Sequence, residues 1–404
     1  MSRKSSYGYS SYGTHSYKSG GYHNRRKNKK KKIIIITVVL LLVLAIAALC
    51  IYFFFFNNKN NTEPSPSSES SSQQSSQASK TESGTKPKND DSSVVADVSD
   101  NPNIKGYYDG NVFVYDKQGY EMFYGTSDTA SKYASTVSSI KKSLGSNVNV
   151  YNMVIPTHSA YGLPKSYRDT MSDQQENINN IYSSYSSDIK TINIWDTINK
   201  HKNEYVYFKT DNNWTGLGAY YGYTDFCKAA GLTAFDIKSA STGSIKNFQG
   251  AFTAATMTDS QPKGNKDLLS NPDTVTYYNM PGDYTCRLLE NGTKEEKEVP
   301  LIATFAEGSN AYSAFIWGNN PYMKITTTQK TGKKLCIIKD SYGCAFAPFT
   351  VANYDEIYIV DPRYYDGNII KYIKNNSYTD VLVINSVMTA NTDVRIKELK
   401  SILG

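Results

Sequence analysis

Histidine and cysteine are both scarce in this chain: four and five among 404 residues. The cysteines lack the paired spacing of a metal module and are too sparse for a disulfide framework. Cys50 falls within an apolar run; Cys227, Cys286, Cys336 and Cys344 read as isolated buried thiols, one disulfide remaining open outside a cell. No metal and no cofactor is expected. Acidic residues are missing altogether from residues 1–32, which hold ten Lys and Arg. Subtracting those ten charges from the net +7 leaves −3 for the rest of the chain. The basic character therefore belongs to a short tail, and nucleic-acid binding by the larger part loses its electrostatic support.

Charge is likewise absent from Ile33 to Phe56, and here the absence is informative. Twenty-four residues at about 1.5 Å per residue span roughly 36 Å, enough to cross a bilayer with some tilt. A buried soluble helix would carry a polar stripe. A signal peptide would be shorter and end in small residues, whereas this run ends in Tyr52 and four phenylalanines. The cluster Arg25-Arg26-Lys27 and Lys29 to Lys32 precedes it directly, so the positive-inside rule predicts a cytoplasmic N-terminus. The expectation is a single-pass protein of the cell membrane, its C-terminal part extracellular. Residues 1–32 form a disordered Ser/Gly/Tyr-rich basic tail, 33–56 the transmembrane helix, 57–103 a flexible Ser-rich stalk, and 104–404 the folded domain.

Within that domain, Gly106 to Gly125 alternates aromatic and polar residues around Asp109-Gly110, a hairpin signal. Helical spacing covers 130–144 and 173–185, and Thr215 to Ala230 reads as a helix stopped by Gly231. Strands are expected at Val148 to Ile155 and Thr191 to Trp195, and a β-rich insertion over residues 245–315. The last hundred residues repeat one pattern: Leu335 to Ile338, Ile357 to Val360 and Val381 to Ile384 are short apolar strands, the first two followed by helices. Alternation of this kind predicts an α/β fold with a parallel sheet flanked by helices.

Ligands of such sheets gather beyond the carboxyl ends of the strands. Asp340-Ser341, Asp361 with Arg363, and Asn385 each follow one of the three strands. Ser341 at a helix start has two readings. Either Asp340 and Ser341 merely cap the helix, or Ser341 is a nucleophile beside backbone N–H groups free to hold an oxyanion. A second cluster, Thr210-Asp211-Asn212-Asn213-Trp214-Thr215, precedes Gly218-Ala219-Tyr220.

These segments together resemble the DHHW family of exported bacterial proteins, within the wider SGNH-hydrolase group and related to proteins that O-acetylate exopolysaccharides such as alginate. The family pattern Thr-Asp-His-His-Trp-Thr, then Gly-Ala-Tyr, Lys-Asp-Ser-Tyr and Asp-Pro-Arg-Tyr, runs in order here through Lys339 to Tyr342 and Asp361 to Tyr364. Val154-Ile155-Pro156 and Phe248-Gln249-Gly250 fit as well. The resemblance implies an SGNH-like domain in which Ser341 is the nucleophile, Asp211 the orienting carboxylate and Asn213 the residue at the base position. It departs where the family has histidine: a carboxamide has no useful basicity near neutral pH. His158, after the strand ending at Pro156, is either a polar loop residue or a substitute base. Asp340, Trp214, Tyr342, Arg363, Asn385 and His158 are the expected substrate-binding residues. Partners would be a cell-surface polysaccharide or wall glycan, the membrane through residues 33–56, and a membrane protein delivering the acyl donor. Two functions stay open: a serine esterase or O-acetyltransferase acting on glycan with impaired chemistry, or a non-catalytic glycan-binding or scaffold relative.

Overall fold

A computed structural model of the chain describes residues 97–404. The predicted tail, the transmembrane span at 33–56 and most of the stalk lie outside them. Among the described residues no helix is long and apolar enough to cross a membrane.

Thirteen strands occur among the described residues: β1 (Tyr107–Asp109), β2 (Val112–Tyr115), β3 (Gln118–Tyr120), β4 (Asn149–Ile155), β5 (Ile189–Thr191), β6 (Ser241–Phe248), β7 (Asp273–Asn279), β8 (Tyr284–Leu289), β9 (Glu296–Val299), β10 (Tyr322–Thr327), β11 (Lys334–Lys339), β12 (Glu356–Val360) and β13 (Asp380–Ser386). Eight of them build the central sheet in the order β5-β4-β13-β11-β12-β10-β8-β9. The first five are mutually parallel, and β10, β8 and β9 extend the sheet antiparallel. The result is a mixed α/β fold on a mostly parallel sheet.

Apolar runs rather than alternating patterns mark the central strands because both faces are covered. Ile337, Ile359, Ile384 and Met153 point to one core; Ile338, Val360, Val383 and Val154 point to the other. The first face is closed by the helix Gly216–Ala230, through Ala219, Tyr223, Phe226 and Cys227. The second is closed by the helix Ser127–Leu144, through Tyr133, Val137, Ile140 and Leu144. Local chemistry sets the ends of both helices. Thr126 forms a capping box with Thr129, Thr215 accepts from Gly218 N, and Gly231 takes the left-handed conformation at φ 67°. Cys227, Cys286, Cys336 and Cys344 are free and buried.

Two expectations change. The strand predicted at Thr191 to Trp195 lies earlier, at β5, because the Asn193 side chain accepts from Trp195 N at 3.0 Å and starts the helix Trp195–Lys200. The strand-rich segment at 245–315 is only partly a separate element. β6 and β7 pair with each other, while β8 and β9 join the central sheet through β10. β1, β2 and β3 form a small sheet of their own, turning at Gly110 with φ 60°. It is tied to the rest where Gly119 N donates to Lys209 O at 2.8 Å.

Trp214 is fully buried against the helix Gly216–Ala230, and a Cβ at Gly222 would sit 2.8 Å from its ring. Replacing Gly222 by alanine removes a helix-interior glycine, worth about 1 kcal/mol in favour of the variant. Overpacking a buried, rigid ring costs about 1–3 kcal/mol. Gly222→Ala is therefore expected to lower stability in urea unfolding; a variant more stable than wild type would contradict this packing.

Candidate active site

The loop from Lys209 to Trp214 is held from three directions. Asp273, 1 % exposed at the start of β7, accepts from the backbone N of Lys209 (2.9 Å), from Thr210 N (2.7 Å), from Thr210 Oγ1 (2.6 Å) and from the Tyr205 hydroxyl. Thr210 in turn receives Gly250 N on its hydroxyl at 3.0 Å and Phe252 N on its carbonyl at 3.0 Å. On the far side the Trp214 indole Nε1 donates to Tyr342 O at 2.8 Å, and the Tyr342 hydroxyl donates to Asn212 O. The loop is thereby fastened onto the segment that carries Ser341.

Asp211 is buried and aimed within the loop. Its Oδ1 accepts from Asn213 Nδ2 at 2.7 Å and from Asn213 N at 3.0 Å; its Oδ2 accepts from Ala251 N at 2.8 Å. The approach needs glycine at 250, where a Cβ would lie 2.3 Å from the Asp211 Cβ. Burial raises the Asp211 pKa, opposed by the hydrogen bonds from Ala251 and Asn213. Asn213 thus presents its amide N–H₂ to the carboxylate as a histidine N–H would. Its Oδ1 is buried with no partner among the described residues.

Ser341 is half-buried at the carboxyl end of β11. It does not cap the following turn, Tyr342–Phe346: its side chain makes no cap bond, and Asp340 Oδ1 receives Tyr342 N instead, at 3.0 Å. The capping explanation therefore holds for Asp340 and fails for Ser341. Three backbone N–H groups of that turn are already engaged within it. Tyr342 N goes to Asp340 Oδ1, Gly343 N to Asp340 O (3.1 Å) and Cys344 N to Ser341 O (3.1 Å). Asp340 Oδ2 accepts from Ser386 N at 2.7 Å, bridging β11 to β13, and the Tyr312 hydroxyl donates to Ser341 O at 2.8 Å.

The remaining expected residues each have partners of their own. Arg363 forms a two-pronged pair with Asp361 (2.8 and 2.6 Å), and buried Lys339 reaches the same carboxylate at 3.2 Å. These two cations hold the Asp361 carboxyl below its ordinary range against the effect of burial. Arg363, Asn385 and Asp340 do share a niche with Tyr133 and Asp361, but it measures about 20 Å³, room for a water rather than a sugar. Asn385 accepts there from the Tyr133 hydroxyl at 2.9 Å. Trp214 and Tyr342 are 0 % and 1 % exposed, so neither offers a ring to a ligand; they hold the loop. His158 stacks on Tyr207 with centroids 5.1 Å apart and on Tyr120 at 4.8 Å. Burial pushes it down to about 4, and it lines a separate cavity of about 280 Å³ whose walls include neither Ser341 nor Asp211. His201 bonds Glu204 at 2.6 Å and stacks on Tyr221. Among the described residues no cluster of His, Cys, Asp and Glu could hold a metal ion.

The family model of the DHHW protein matches residues 77–360. The chain belongs to the DHHW family. A DHHW family protein from Eubacterium siraeum has the same fold at a TM-score of 0.67 and 33% identity, over 74% of this chain and 97% of that one. Bacillus cereus PatB1 with a sulfonyl adduct matches at a TM-score of 0.58 and 16% identity, over 73% and 98% of the two chains. A second structure of Bacillus cereus PatB1 matches at a TM-score of 0.57 and 16% identity, over 72% and 99% of the two chains. At 16% identity the likeness is one of fold. No curated protein sequence matches significantly.

Sequence reasoning missed two residues that hold these segments of the DHHW protein from a distance, Asp273 on the loop and Tyr312 on the Ser341 segment. Gly250 carried a signal, within the family segment Phe248-Gln249-Gly250. Hydrogen bonds to a charged acceptor are worth about 1.5–3 kcal/mol each, and Asp273→Ala leaves several donors unpaired. That change is expected to cost at least about 3 kcal/mol in denaturant unfolding, and a cost below about 1 kcal/mol would show that the loop is held by other means.

Proposed function

We propose that this protein is a membrane-anchored, extracellular DHHW protein whose Ser341 site acts on acyl esters of a cell-envelope glycan, with its proton chemistry weakened at Asn213. The observation that carries the reading is the Asp211–Asn213 bond of 2.7 Å in a loop fastened directly to the Ser341 segment. The position resembling the family base is occupied, oriented and buried, yet it is an amide. Asn213 Oδ1 can accept a hydrogen bond from a serine hydroxyl and thereby orient it. It cannot remove the proton at neutral pH, so nucleophilic attack loses the contribution of a positioned base, typically about 10²–10⁴-fold.

The apolar span at 33–56, flanked by its basic cluster, supports an anchored protein whose stalk carries the domain away from the bilayer. The glycan follows from the resemblance to exopolysaccharide O-acetylating relatives, and a membrane protein delivering the acyl donor would suit the anchored arrangement. The same amide supports a second reading, in which the fold serves as a non-catalytic glycan-binding or scaffold protein.

Asn213→His restores a base beside an orienting carboxylate that is already in place. Turnover of a simple acetyl ester is expected to rise toward the roughly 10²–10⁴-fold contribution of a positioned base, and Ser341→Ala in the same chain should abolish the gain. If neither wild type nor Asn213→His shows Ser341-dependent turnover, the binding or scaffold reading takes its place.

A further inference from the structure

A pair of aromatic rings lies at the surface away from the loop that carries Asp211. Phe305 is 65 % exposed, and its ring meets that of half-buried Trp317 edge to face, with centroids 4.9 Å apart and planes at 66°. The backbone beneath the pair is strained. Ile316, Trp317 and Gly318 are three consecutive residues in the left-handed region, at φ 47°, 64° and 77°. Glycine adopts that conformation freely, whereas a β-branched isoleucine and a tryptophan are held there at an energetic cost, and strain of this kind gathers at functional sites. The turn buries Ile316 and leaves Trp317 at the surface. It is then locked. The Trp317 indole Nε1 donates to Pro300 O at 2.8 Å, and Asn320 Nδ2 donates to Trp317 O at 2.8 Å. Ala303 N donates to Ala314 O at 2.9 Å, which joins the two segments that carry the rings. A ring fixed in advance spares a ligand the cost of ordering it.

The same segment braces the residues around Ser341. Tyr312, on the short 3₁₀ helix Gly308–Ala314, donates its hydroxyl to Ser341 O at 2.8 Å. Asn319 Oδ1 accepts from Lys339 Nζ at 3.0 Å, and Gly318 O accepts from Cys344 Sγ at 3.3 Å. Bonds therefore fall before, at and after Ser341, and the last of them is one residue from Trp317. Through it the Trp317 and Ser341 Cα atoms lie within roughly 18 Å of each other, the reach of a short oligosaccharide. The rim of the ring pair is polar, and its charges are matched. Lys297, with Nζ 4.7 Å from the Trp317 ring centroid, pairs with Glu290 at 2.6 Å, and neighbouring Glu296 pairs with Arg287 at 2.7 Å. An anionic ligand gains little from a balanced rim, and a lipid surface calls for a wider apolar face than one ring pair. A sugar suits both parts: its C–H face lies on the exposed ring while the hydroxyls at its edge reach the paired charges. We propose that Phe305 and Trp317 form a subsite for an uncharged pyranose ring of the glycan on which the Ser341 site acts. The subsite rests on the glycan reading given above.

The test measures binding of cellohexaose and of chitohexaose, two oligosaccharides of uncharged pyranose rings, to the full-length chain by saturation-transfer NMR and titration calorimetry. Wild type should bind at least one of them, with saturation passing to the sugar C–H protons. Phe305→Ala should weaken that binding about three- to tenfold with thermal unfolding unchanged, and Phe305→Tyr, which keeps the stacking face, should stay within about twofold of wild type. Trp317→Ala should weaken binding as well, but it also removes the bond to Pro300, so Phe305→Ala decides. Fluorophosphonate labelling of the same samples reports on Ser341 separately. Phe305-dependent binding without labelling of Ser341 keeps the subsite and supports the non-catalytic glycan-binding reading. Labelling of Ser341 with no Phe305-dependent binding of either oligosaccharide overturns the subsite and leaves the nucleophile standing. Phe305-dependent self-association in sedimentation, in place of sugar binding, makes the pair a contact between copies and overturns it too.

Discussion

The indole of Trp214 is the point on which this site depends. It is fully buried between the helix Gly216–Ala230 and the Ser341 segment, and its one polar atom is spent on the carbonyl of Tyr342 at 2.8 Å. A buried tryptophan N–H needs a partner, so the requirement to satisfy it fixes the distance between the two segments. Tyr342 returns the bond through its hydroxyl to Asn212 O. With Asp273 holding the other end of the loop, Asp211 and Asn213 have little freedom left. Side chains that elsewhere would be read as sugar-binding aromatics here serve as clamps.

Charge is divided across Asp340. On one side buried Asp211 has amide N–H groups as its hydrogen-bond partners. On the other, Lys339 and Arg363 share Asp361 in a closed niche of about 20 Å³. The basic pair neutralises a buried carboxylate at the ends of two central strands, β11 and β12. Burial raises the Asp211 carboxyl while the two cations lower that of Asp361, and environments that separate titratable groups in this way are characteristic of acid–base sites.

Much of this was legible in the chain. The runs at Leu335, Ile357 and Val381 became β11, β12 and β13 because strands covered on both faces must be apolar throughout, and the resulting strand ends bring Asp340, Arg363 and Asn385 to one small niche. The Asp211 to Trp214 cluster was visible as a family segment, and the loop is bonded to Tyr342, the residue after Ser341. What sequence could not settle was competition for partners. Whether Asp340 or Ser341 takes the first N–H of the turn depends on side-chain direction, and Asp340 takes it. Asp273 lies far along the chain from the loop it holds, and it sits in no pattern that marks it. Trp214 and Tyr342 were plausible ligand contacts until their burial was known.

The central claim is that Ser341 is an oriented nucleophile lacking its customary histidine. Exposure of the protein to a fluorophosphonate, followed by intact-mass and peptide mapping, tests it most directly. The account predicts slow, stoichiometric modification at Ser341, faster in Asn213→His and absent in Ser341→Ala. Modification spread over other residues, or none at Ser341 even with histidine at 213, would contradict it.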